Sequence, residues 1–164
     1  CLQFNEINGV QKSGLLRSGG CITLALQTEG VRARPMKSPR VLLVEDNRLL
    51  RWCVCSELHR GGCAVVAPET VDEVLRLDPA QPVNVLVTDC RLADGHNGFE
   101  VLARVRERYP EICAILISAE ADPQLAARAR DAGFDVVIEK PCRVAEIVGA
   151  VRALMSGTSA EMPS

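Results

Sequence analysis

From residue 40 onward, short runs rich in β-branched and aliphatic residues alternate with longer stretches in which apolar residues recur every three or four positions. The runs are Val41 to Val44, Ala64 to Ala67, Val83 to Thr88, Cys113 to Ile117 and Asp135 to Glu139. Strands that are apolar throughout, interleaved with helices, imply a parallel sheet covered on both faces. Between the runs, Leu50, Val54 and Leu58 have helical spacing in a stretch from about Asn47 to Arg60, which Gly61-Gly62 stops. Thr70 and Glu73 read as a capping box that opens a second helix. Leu102 and Val105 share one face of a third, which runs until Pro110. Asp122-Pro123 supplies the N-cap and first turn of a fourth, and Gly133 closes it. Val144, Ile147, Val148, Val151 and Leu154 form one stripe on the fifth. The pattern predicts five strands and five helices in strict alternation.

Residues 1–38 lack a sustained period apart from a candidate strand at Cys21 to Leu26, and are expected to be a poorly structured extension or linker. The compact domain is then 39–155, followed by a flexible tail at 156–164. Met36, just before the first strong strand, is the start expected of such a domain. Residues 1–35 then read as an upstream extension or the tail of a larger protein.

The 164 residues are 48% apolar, enough for one domain with an ordinary core, and only 3% aromatic, so Val, Leu, Ile and Ala must fill it. A formal net charge of −2 gives no electrostatic footprint for nucleic acid or an anionic membrane. The charge is uneven. Lys12, Arg17, Arg32, Arg34 and Lys37 outnumber Glu6 and Glu29, so the first 39 residues are basic and the rest acidic. Eight cysteines are scattered through strands, helices and loops with no C-x-x-C pair, which suits reduced thiols used as small apolar residues. No apolar run approaches a membrane span and no signal peptide is visible, so a cytoplasmic protein is expected.

Loops at the carboxyl ends of parallel strands converge on one crevice. Glu45-Asp46, Asp89, Ser118 and Lys140 each directly follow one of the runs, so they are expected to meet there. Two carboxylates about 4 Å apart repel by roughly 4 kcal/mol at an effective dielectric near 20, and a hard divalent cation best compensates them. Magnesium takes one or two carboxylates and leaves positions for phosphate oxygens. Lys140 adds a point charge, Ser118 a hydroxyl donor, and the loop after Asp89 backbone N–H groups. The set reads as a site for phosphoryl transfer to Asp89 as nucleophile.

Val-Leu-Leu-Val-Glu45-Asp46-Asn, Val-Leu-Val-Thr-Asp89-x-x-Leu, Ile-Leu-Ile-Ser118-Ala119 and Glu-Lys140-Pro141 together resemble the receiver domain of two-component response regulators, over about residues 39 to 155. The resemblance implies a flavodoxin-like doubly wound fold with strand order 2-1-3-4-5. It implies Asp89 as phosphoacceptor, Asp46 and Asp89 as Mg2+ ligands, Glu45 acting mostly through water, and the Arg91 carbonyl as a third protein ligand. It further implies Ser118 as switch hydroxyl, Lys140 as phosphate counter-ion, and a cis peptide at Pro141. The phosphoryl donor is then a histidine kinase or histidine phosphotransfer protein. A downstream protein would read the face formed by the fourth helix, fifth strand and fifth helix, without direct nucleic-acid or membrane binding. The resemblance also implies a phosphoacceptor signalling domain and not an enzyme, its chemistry confined to self-catalysed transfer and slow autodephosphorylation.

Three departures mark this chain within that resemblance. Ala93 replaces the usual Pro, and the Asp89 to Gly98 segment is one residue longer than the commonest version, a length associated with receivers of hybrid histidine kinases. Val137 occupies a switch position usually held by Tyr or Phe. No DNA-binding domain follows the last helix in this sequence. Gly19-Gly20-Cys-Ile-Thr-Leu-Ala-Leu also loosely resembles the last strand of a histidine-kinase ATPase domain. Alternatives are a pseudo-receiver that binds partners without phosphorylation, an aspartyl-phosphate phosphatase, which wants an acid where Arg91 stands, and a flavin-binding domain, which wants a Ser/Thr/Gly-rich loop after the first strand. His59 and His96 are expected at the surface, Arg91 and Glu120 as tuners of water access or plain solvated residues, and Trp52 on the flank of the first helix.

Overall fold

The apolar runs form the strands of a single sheet. The computed structural model describes residues 39–78, 80–93, 95–119 and 122–156, with the backbone of two further strands at 16–18 and 21–25. In chain order the elements are β1 (Leu16–Ser18), β2 (Cys21–Ala25), β3 (Arg40–Val44), α1 (Arg48–Arg60), β4 (Ala64–Val66), α2 (Val71–Leu75), β5 (Val85–Asp89), α3 (Gly98–Arg106), β6 (Cys113–Ser118), α4 (Pro123–Ala132), β7 (Val136–Glu139) and α5 (Val144–Ser156). The sheet order is β1-β2-β7-β6-β5-β3-β4. The five strands from β3 onward pair in parallel as β4-β3-β5-β6-β7, the expected 2-1-3-4-5 arrangement. The N-terminal hairpin extends this sheet beyond expectation. β1 pairs with β2, and β2 lies antiparallel to β7 with Leu24 opposite Val137. β2 is the candidate strand expected at Cys21 to Leu26, but its pairing with β1 and β7 corrects the expectation of a poorly structured extension at these positions; the three-residue β1 is too short for a period to show. Ser156, expected to begin the tail, is the last residue of α5; the rest of that segment, with Leu26, Met36 and Gly19-Gly20, lies outside the described residues.

Both faces of the sheet are buried across β3, β5, β6 and β7, which is why the middles of these strands are apolar on both sides. Leu42, Val44, Leu86, Ala114, Leu116 and Val137 point to one side, against Val71 and Val74 of α2, Val101, Leu102 and Val105 of α3, and Leu125 and Ala129 of α4. Their alternates Val41, Leu43, Val85, Val87, Ile115, Ile117, Val136 and Ile138 point to the other, against Val54 and Leu58 of α1 and Ile147, Val148 and Val151 of α5. Phe134 is wholly buried and meets Phe99 edge-on at 5.4 Å between ring centroids.

Helix ends follow local chemistry. Asn47 caps α1 through Leu49 and Leu50 N–H, each 3.1 Å from its Oδ1. Thr70 caps α2, but Glu73 reaches back to the Glu69 N–H at 2.9 Å and not to Thr70, so the expected capping box closes one residue early. The reciprocal box sits on α3 instead, between Asn97 and Glu100, at an Asn-x-x-Glu spacing. Gly133 ends α4 at φ 93°. The six described cysteines are free thiols, Cys63 and Cys90 buried and the others half-buried.

Candidate functional site

Parallel register brings the strand ends together. β3 and β5 are adjacent with Val44 opposite Thr88, so Glu45-Asp46 leaves the sheet beside Asp89. β6 lies on the other side of β5 with Ile117 opposite Asp89, and β7 beyond it with Glu139 opposite Ser118. One oxygen each of Glu45, Asp46 and Asp89 falls within 4.8 Å of the others. Glu45 and Asp89 are buried, whereas Asp46 is exposed. Buried walls with one exposed carboxylate make a cup open to solvent. Its all-oxygen donor set suits a hard cation.

Lys140 provides the local counter-charge. Its ammonium lies 3.3 Å from Glu45 Oε2 and forms a short ion pair with Asp89 Oδ2. Burial by itself lowers the Lys140 pKa, but the hydrogen bond to Asp89 and the charges of Glu45 and Asp89 outweigh it and hold the ammonium above its ordinary value. Burial pushes the Glu45 carboxyl up, opposed by the Asn47 N–H at 3.1 Å and by Lys140, and reinforced by the charge of Asp89. The Lys140-Pro141 peptide is cis, which matches the expected conformation.

Ser118 is buried at the end of β6, and its carbonyl accepts from the Lys140 N–H at 2.7 Å, tying the two loop starts together. Arg91 enters a small antiparallel bridge with Asn97. The ladder hydrogen bonds there are Leu92 N–H to His96 O and Gly98 N–H to Cys90 O. The Arg91 peptide groups therefore face away from Asn97, and its N–H reaches toward Asp89 Oδ1 at 3.4 Å. At the far end of this hairpin Gly95 takes φ 84° and its N–H donates to Leu92 O. Gly98 closes the hairpin against the strand, where a Cβ would lie 2.6 Å from the Asp89 carbonyl. Val137 is buried within β7 and Ala93 is exposed. His59 is exposed, and His96 lies 3.2 Å from Glu100, so neither joins the carboxylate group. Trp52 projects from α1 at 68% exposure, and Glu120 lies outside the described residues.

Sequence reading missed Arg51. One guanidinium nitrogen donates to the Glu45 carbonyl at 2.9 Å and the other to Glu69 Oε1 at 3.0 Å. Arg51 lies on α1 at helical spacing, where a charged residue reads as solvated, and only the fold shows it turned inward.

A model of the response regulator receiver domain matches residues 41–152, the span that holds all of these groups. The chain belongs to that family. Receiver domains are signalling domains of two-component systems, consistent with phosphorylation-mediated switching. Among curated proteins this receiver domain resembles the DNA-binding transcriptional regulator NtrC of Proteus hauseri, 27% identical over 116 residues that cover 71% of this chain and 24% of the relative. It also resembles the virulence sensor protein BvgS of Bordetella bronchiseptica, 31% identical over 127 residues covering 73% of this chain and 10% of the relative. The chain thus spans about a quarter of the first relative's length and a tenth of the second's. Among solved structures, the non-phosphorylated HemR receiver domain from Leptospira biflexa is 26% identical with a TM-score of 0.66, covering 77% of this chain and 99% of that one. The BeF3-activated DrrB receiver domain, 22% identical with a TM-score of 0.64 over 73% of this chain and 98% of that one, shares the fold. No helix among the described residues is long and apolar enough to cross a membrane.

Proposed function

We propose that this receiver domain accepts a phosphoryl group on Asp89 from a phosphohistidine in a histidine kinase or phosphotransfer protein. The observation that supports it best is the cup of Glu45, Asp46 and Asp89 with Lys140 bridging two of its acids. An Asp89 carboxylate oxygen forms the new P–O bond while the donor's P–N bond breaks and its electron pair leaves on the imidazole. Asp46, Asp89 and the Arg91 carbonyl would hold Mg2+, with Glu45 acting through water, and the ion when bound would supply positive charge beside the phosphoryl oxygens. Lys140 shifts from the Asp89 carboxylate to a phosphoryl oxygen, because phosphorylation converts the carboxylate it now pairs with into an acyl phosphate whose negative charge lies on the phosphoryl oxygens. The Ser118 hydroxyl moves with it to donate to a second oxygen. These movements act on β6 and the β7–α5 loop, and so bias the α4, β7 and α5 face read by a downstream protein. Val137 supplies no ring for an aromatic rearrangement on β7, so readout rests on the backbone shift of the strand ends.

Intact-mass measurement after incubation with acetyl phosphate tests this, with and without Mg2+ and alongside Asp89→Asn. The expected result is a Mg2+-dependent gain of one phosphoryl group that the variant lacks. No gain in the unaltered chain, together with no Mg2+ binding, would overturn the phosphoacceptor reading and leave a partner-binding pseudo-receiver.

A further inference from the structure

Arg51 stands where it could either help or hinder a cation in the cup. Its side chain is largely buried, and its two guanidinium nitrogens join the last carbonyl before the acidic loop, Glu45 O, to the Glu69 carboxylate before α2. The acidic loop is then fixed at both ends, by Arg51 on the Glu45 carbonyl and by the Asn47 N–H on the Glu45 carboxylate. Glu69 is itself fixed, since its backbone N–H donates to Glu73 Oε2 in the first turn of α2. Geometry favours the cation, because groups that orient ligands typically change metal affinity about 10- to 100-fold when removed. Charge opposes it, because a guanidinium beside the cup repels a divalent ion. Glu69, 3.0 Å from Arg51, cancels that charge without touching the carbonyl contact.

We propose that Arg51 is a positioning residue for the cation-binding carboxylates, and that Glu69 neutralises it so that the clamp does not repel the ion. The proposal rests on the Mg2+ site of the preceding reading and extends it to residues outside the site. The two contributions have opposite signs, which makes them separable. Removing the Arg51 charge alone would tighten Mg2+ binding, so weakening can come only from lost geometry.

The experiment is titration of the full chain with MgCl2 by calorimetry at low and high NaCl, for the unaltered protein, Arg51→Met, Arg51→Lys and Glu69→Gln. Thermal melting in EDTA is recorded for each. Arg51→Met is expected to weaken Mg2+ binding about tenfold at both salt concentrations. Arg51→Lys keeps the charge but cannot span both acceptors, and is expected to weaken binding as well. Glu69→Gln leaves the carbonyl contact and is expected to weaken binding about threefold at low salt, with the difference fading at high salt. Equal or tighter binding by folded Arg51→Met would overturn the proposal while leaving the Mg2+ reading intact. If Arg51→Met fails to fold, unchanged binding by Arg51→Lys or a salt-independent loss in Glu69→Gln would overturn it. Absence of Mg2+ binding by the unaltered chain would instead overturn the underlying reading and this proposal together.

Discussion

Lys140 carries the charge balance of the crevice in the absence of a cation. It lies between two buried carboxylates that would otherwise face each other in a low-dielectric wall. Lys140→Met should therefore destabilise the protein in EDTA by about 2 kcal/mol, the scale of leaving buried charged partners unpaired. Urea unfolding at neutral pH measures this, and added Mg2+ should stabilise the variant more than the unaltered chain. An unchanged midpoint in EDTA would show that the ion pairs contribute nothing net. At this scale the sequence was informative wherever a residue's chemistry was unusual for its place. A Lys, a Ser and three acids directly after apolar strands needed a reason, and the fold brings the acids and Lys140 together with Ser118 on the adjoining strand. Arg51 gave no such signal, because a helical arginine facing solvent and one turned to a backbone carbonyl have the same sequence.

Elements were legible in proportion to the length of their pattern. The five long runs became strands at nearly the expected bounds, and the α5 stripe buries Ile147, Val148 and Val151 as its spacing predicts. Among the short elements, β2 matches the candidate strand at Cys21 to Leu26, and β4 and α2 lie where the pattern put them, but β1, with three residues and no period, was not legible. Boundary chemistry was partly legible, as at Gly133, whose left-handed φ closes α4. That position is also packed. Arg106 of α3 reaches across to donate to the Ala132 carbonyl at 2.9 Å and the Gly133 carbonyl at 2.6 Å, and a Cβ on Gly133 would collide with its guanidinium. Gly133→Ala should cost about 2 kcal/mol by strain and displacement of this clamp, more than the conformational term alone. Thermal or urea unfolding measures it, and a loss below about 0.5 kcal/mol would show that Arg106 moves aside freely.

For the whole molecule, buried and half-buried thiols tie stability to pH. Burial, reinforced by the charge of Asp135 and opposed by Arg106, pushes the Cys113 thiol from 9.0 up to about 11. Burial likewise raises Cys55, Cys63 and Cys142. The unfolded chain then gives up these protons before the folded one. Their contribution to stability is whole below about pH 9 and is lost as pH rises through the folded values. Urea midpoints should fall from pH 8.5 toward about 10.5, and fall less in Cys113→Ala. An equal fall in that variant would place the alkaline loss elsewhere. The overall architecture follows from the same burial: two hydrophobic layers cover the central strands, and the ends of β3 and β5 carry the acids side by side.

The central claim is that Asp89 itself takes the phosphoryl group, and chemical location of the acyl phosphate tests it most directly. After incubation with acetyl phosphate and Mg2+, borohydride reduces an aspartyl phosphate to homoserine while leaving free carboxylates intact. Peptide mass spectrometry is predicted to find homoserine at position 89, with Asp46 and Glu45 unchanged. Homoserine at another position, or at none, would contradict the account.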